Sequence, residues 1–174
     1  MTTTETTVTG ERSDLLESLA KHRFFLRFTV RDLTDEQAAQ RTTVSELCLG
    51  GLIKHVTDTE RGWVDFILEG PSTMPSWTDP SVLEQHTNGF RMLAGETMAG
   101  LLDEYDAVAR RTDELVRTLP DLDAAHPLPE APWFEPGARW SARRALLHII
   151  AETSQHAGHA DIIREAIDGA KSMG

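Results

Sequence analysis

Apolar residues recur at helical spacing in four segments of the 174-residue chain, and no segment shows the sustained alternation that a half-buried strand requires. Over 12–31, Leu15, Leu16, Leu19, Phe24, Phe25 and Phe28 form one stripe. Behind it, Thr34 and Gln37 stand at capping-box spacing and start a short helix. A second long helix is announced by Thr43 and Glu46, spaced to cap each other's amides; it runs to about Leu68 and is stopped by Gly70 and Pro71. The third, over 97–118, buries Leu101, Leu102, Tyr105, Val108, Ala109, Leu115 and Val116 before Pro120. The fourth starts at the N-cap Ser141 and runs to Ile167, where Asp168 and Gly169 end it. Residues 71–96, around Trp77, read as a long loop with room for one helical turn, and the proline-rich residues 120–139 read as a second long connection. This pattern predicts an all-α, up-down four-helix bundle with long connections, one domain over 11–174 behind a disordered tail at 1–10.

Charge narrows the partners. With 28 acidic against 17 basic side chains the formal charge is -11, and no Lys/Arg cluster forms a phosphate-tracking stripe, which argues against nucleic acid. No apolar run approaches the roughly 20 residues of a bilayer span, so no membrane partner is expected. The Thr-rich N-terminus lacks the basic and apolar segments of a signal peptide. Cys48 is the only cysteine, which excludes an internal disulfide; between Leu47 and Leu49 it reads as a buried thiol. These features together point to a cytoplasmic protein acting on a small molecule.

The candidate chemistry lies in HIIAETSQHAGHADIIRE, residues 148–165. At 100° per residue from His148, His159 falls at about 20°, Glu152 at about 40° and His156 at about 80°, beside an apolar sector centred on about 115°. Glu152 and His156, four apart, stand one above the other and can offer a carboxylate oxygen and an imidazole nitrogen to one ion. The second long helix offers His55 at the edge of its own apolar face, set by Leu49, Leu52, Ile53, Val56, Trp63 and Ile67. The spacing therefore nominates His55, Glu152 and His156 as metal ligands. Around His55, Gly51, Thr59 and Gly62 leave either open space beside an ion or close helix packing. Arg164 and Glu60 both fall on buried sides, so they either pair across the bundle or Arg164 snorkels to solvent. His22, His86 and His126 read as solvated. Trp77, Trp133 and Phe134 either line a pocket mouth or act as packing lids.

The HVxxxERxW pattern of His55 to Trp63 and the ETxxHAGHADIIRE segment of Glu152 to Glu165 resemble DinB-like four-helix bundles. The likeness is to an actinobacterial branch related to mycothiol-dependent transferases and maleylpyruvate isomerases. It implies a bundle, commonly a homodimer, holding a divalent ion, zinc or nickel, on one histidine of the second helix and two ligands of the last; these fall on His55, Glu152 and His156. It further implies transfer of a low-molecular-weight thiol, mycothiol or similar, to an electrophile, with His159 placed beside the ligands to move a proton. The alternatives are a metal-dependent hydrolase or isomerase using the same residues, and a non-enzymatic stress-related bundle.

Overall fold

A computed structural model describes residues 8–74 and 80–172. Trp77 and residues 1–7 of the expected tail lie outside the described residues. Six α-helices appear in order among the described residues: Glu11–Thr29 (α1), Asp35–Ala38 (α2), Leu49–Glu69 (α3), Pro80–Gly89 (α4), Met98–Thr118 (α5) and Ala142–Asp168 (α6). The strands Ala125–Pro127 (β1) and Arg139–Ser141 (β2) pair antiparallel, with Ala125 opposite Ser141. Three residues per strand are too few to print an alternation in the sequence, which is why none was expected.

The four long helices form the all-α bundle that the apolar spacing predicts, and their directions follow from their ion pairs. Lys54 meets Glu96, Arg61 meets Glu104 and Asp65 meets Arg111, so α3 and α5 run parallel. Trp63 lies against His148 and His55 against His156, so α6 runs opposite to α3. Glu11 pairs with Arg143 at one end of α1, and Arg164 reaches the Thr29 carbonyl at the other, so α1 and α6 are parallel. The order is up-down-down-up, so the bundle is all-α as expected but does not alternate simply up and down. Residues 70–97 must therefore return the length of the bundle, and they do so partly as helix. Pro80–Gly89 forms ten residues of α4, more than the single turn expected there.

Two apolar clusters fill the bundle. One gathers Leu15, Leu19, Trp63, Phe66, Leu146 and Ile149; the other Leu26, Leu52, Ile53, Val56, Tyr105 and Ile163. Between them lies a polar layer. Glu60, wholly buried, accepts from Arg23 at 3.3 Å through Nε, and from the Thr112 hydroxyl at 2.5 Å; Arg23 also reaches Asp113 at 2.7 Å. Two ionised groups out of water are tolerated only because each finds several partners.

That layer overturns the expected Glu60–Arg164 pair. Arg164 is buried, so it does not snorkel; it donates to the Thr29 and Arg31 carbonyls at 2.9 and 2.7 Å and to Asp168 at 2.9 and 2.8 Å. With α3 and α6 antiparallel, Glu60 stands level with the middle of α6, about 20 Å along the axis from Arg164. Arg23, on α1, is the residue within reach. Its inward position also corrects the α1 stripe: Leu15, Leu19, Arg23, Leu26 and Val30 face the core, while Phe24 is 58% exposed and stacks on Phe28.

The start of α3 differs as well. Thr43 accepts from the Ser45 amide and Glu46 pairs with Arg41, so that expected capping box closes a turn instead. The helix begins at Leu49, where Cys48 is the N-cap and its Sγ accepts from the Gly51 amide at 3.4 Å. The capping box Thr34–Gln37 and the N-cap Ser141 form at the positions expected.

Candidate metal centre

α3 and α6 pack directly, and the edge of that contact carries His55, Glu152 and His156. His55 Nε2 lies 3.9 Å from Glu152 Oε2, and His156 Nε2 lies 3.5 Å from the same oxygen. One donor atom from each of the three lies within 4.8 Å of the others. Around a four-coordinate ion with bonds of about 2.1 Å, donors stand about 3.4 Å apart, so small side-chain shifts would bring these three onto one ion. Nitrogen, oxygen and nitrogen form a set that suits a divalent cation of the zinc type. The adjacent imidazoles of His156 and then His55 hold the Glu152 carboxyl well below the usual carboxylate range, against its own burial, so it is ionised and able to act as a ligand.

Each ring is held from behind. Phe90, in the turn after α4, stacks on His55 with ring centroids 4.0 Å apart. The Phe90 carbonyl presses on Gly51 so closely that no Cβ would fit there, and Cys48 Sγ lies 3.8 Å from the same oxygen. Gly62, by contrast, has no other atom near the place of a Cβ and borders a cavity. Of the two readings of the α3 glycines, close packing applies to Gly51, although against a turn rather than a helix, and open space applies to Gly62. His156 Nδ1 faces His159 Nδ1 at 3.3 Å, so one of these two nitrogens must carry the proton and donate it to the other.

A cavity of about 600 Å³ opens on one side of this cluster. His55, Glu152 and His148 reach it from α3 and α6; Trp63, Trp140, Trp133 and Phe134 supply much of its wall. His148 Nε2 lies 3.8 Å from Glu152 Oε1, and its ring stands edge-on to Trp63 and Trp140 at 5.0 and 5.1 Å. Burial between those indoles lowers the His148 pKa, partly offset by Glu152. His159 is not among the described lining residues.

Several neighbours of the cluster escaped the sequence reading. His86, expected in a solvated loop, is exposed as expected but sits on α4 with its ring 5.8 Å from His55; partial burial, then His55, lowers its pKa. His126 lies on β1 against Phe66 at 5.7 Å instead of in solvent. Trp133 and Phe134 line the cavity, as one of their two readings held. Phe90 carried no signal at all, because its role depends on where α4 returns.

The family model of mycothiol-S-transferase matches residues 14–169. This chain belongs to the mycothiol-S-transferase family. Among solved structures, the crystal structure of a conserved protein from Enterococcus faecalis superposes with a TM-score of 0.69 at 14% identity, covering 94% of this chain and 100% of that one. At that identity the likeness speaks for the fold alone. A search of curated proteins found no match. No described helix is long and apolar enough to cross a membrane.

Proposed function

We propose that the protein is a metal-dependent transferase that joins a low-molecular-weight thiol of the mycothiol type to an electrophilic small molecule. The observation that carries this reading is the convergence of His55, Glu152 and His156 beside an open cavity, in a chain of this family. Zinc or nickel suits the donor set. A divalent ion held there would lower the pKa of a bound thiol or water and so make a nucleophile available at neutral pH.

The chain's own groups do the rest. His159, against Nδ1 of His156, fixes that ring so that Nε2 faces the cluster, a positioning role of the kind that supports ligand basicity. Of the three imidazoles that line the cavity, His55 belongs to the ligand set and His86 stands against it, so Nε2 of His148 is the nitrogen placed to hold or accept a proton beside the substrate. Trp63 and Trp140 keep water from its sides. Phe90 seals the back of His55.

Elemental analysis of untagged protein, followed by incubation with mycothiol and a panel of electrophiles, tests the reading. The expected result is about one zinc or nickel per chain and thiol loss matched by a conjugate. Stoichiometric metal with no thiol loss defeats the transferase assignment, and turnover that is the same without thiol shows a hydrolase or isomerase instead.

A further inference from the structure

The cavity's chemistry narrows the electrophile. Trp63, Met74, Val82, Trp133, Phe134 and Trp140 make an apolar and largely aromatic wall. The ionisable groups beside them are Asp58, Glu152 and the three imidazoles of His55, His86 and His148; no Lys or Arg is among the described lining residues. Arg61 is committed to the lining Asp58 at 2.5 Å and to Glu104 at 2.6 Å. Arg144 lies with its guanidinium 4.0 Å from the centre of the Trp140 ring, while Trp63 stacks on Trp140 at 4.6 Å. A carboxylate entering this space would lose its hydration with no uncommitted Lys or Arg among the described lining residues to replace it, and with Glu152 nearby. A flat neutral molecule loses little and gains contact with the indoles.

We infer that the wall of this site favours an electrophile with an uncharged, planar, largely apolar body over a carboxylated one. This deepens the thiol-transfer reading and rests on it for the fate of the bound molecule, but the binding preference stands on the wall alone. A volume of about 600 Å³ lies within the usual range for ligand sites and leaves space for a bicyclic body beside a thiol. Trp133, 57% exposed and edge-on to Phe134 at 6.2 Å, marks the entrance and adds ring surface there without belonging to the core.

Equilibrium dialysis of the full chain, as purified and after chelation, against 2-naphthol and 2-naphthoate tests the inference. The neutral ligand should bind in both states, and in the chelated protein at least about tenfold more tightly than the carboxylate, the scale expected when a charge is buried without a partner. Trp133→Ala, checked for its fold by circular dichroism, should weaken naphthol binding by about threefold or more, as lost aromatic contact predicts. Equal or tighter binding of naphthoate by the chelated protein overturns the inference, as does an unchanged naphthol affinity in Trp133→Ala. Selective naphthol binding without any thiol consumption would instead count against the transferase reading and leave this one standing.

Discussion

Gly51 and the carbonyl of Phe90 are in contact through a space that no side chain on residue 51 could share. The same Phe90 covers the ring of His55. Gly51→Ala should therefore act twice: about 1–3 kcal/mol of stability lost to overpacking, and a weaker hold on metal as Phe90 is pushed from His55. Gly62→Ala is the contrasting case, with open space around it, and should stabilise α3 by about 0.5–1 kcal/mol. Urea melts and zinc titrations of the two variants would show whether they diverge; matching losses in both would contradict this account.

His55 and His159 should separate in metal binding. His55→Ala removes a donor and should abolish stoichiometric zinc retention. His159→Ala removes only the contact on His156 Nδ1 and should lower affinity by about 10–100-fold. His159→Asn, which keeps a polar partner for that nitrogen, should recover part of the loss. Competition with a chromogenic chelator reads all three, and an affinity unchanged in His159→Ala would remove its positioning role.

The buried charge layer predicts a large and local cost. Arg23→Ala leaves Glu60 wholly buried with the Thr112 hydroxyl as its remaining close partner, a change worth about 3–5 kcal/mol. Arg61→Ala removes exposed pairs with Asp58 and Glu104 and should cost less than about 1 kcal/mol. Chemical denaturation of both variants provides the comparison. Similar midpoints would mean that Glu60 finds another partner.

Burial lowers the His148 pKa, so the folded protein prefers its neutral ring while the unfolded chain takes up the proton at the ordinary imidazole pH of about 6.5. The associated stability is present above that pH and is lost as the pH falls through it. In chelated protein, His148→Gln should show a flatter loss of stability than the parent between about pH 8 and 5. An NMR titration of the parent should place the His148 midpoint below the ordinary value. A midpoint at or above it would contradict the placement between Trp63 and Trp140.

Much of the bundle could be read from its spacing because long amphipathic helices repeat their signal over many turns. The arc through Glu152 and His156, and the edge position of His55, needed only helix geometry. Phe90 and the approach of His86 did not show themselves, since each reaches the cluster from a connection whose path is set by tertiary packing, whereas Trp133 was legible as one of two readings. Arg164 illustrates a subtler loss. Its buried side was legible on the wheel, yet its partners proved to be one residue four positions on and two backbone carbonyls, which a search for opposite charge across the bundle passes over. Arg23 was missed for the converse reason, because the neighbouring phenylalanines drew the inferred stripe away from it.

His55 and Glu60 ride on the same helix, five positions apart, and Glu60 is gripped by Arg23 of α1. Rolling α3 enough to withdraw His55 from Glu152 would tear that grip, so the rotational setting of the rod is indexed from its opposite flank. An ion held at His55 would thus be coupled to closure of the interior, because neither the imidazole nor the charge beneath it could let go alone.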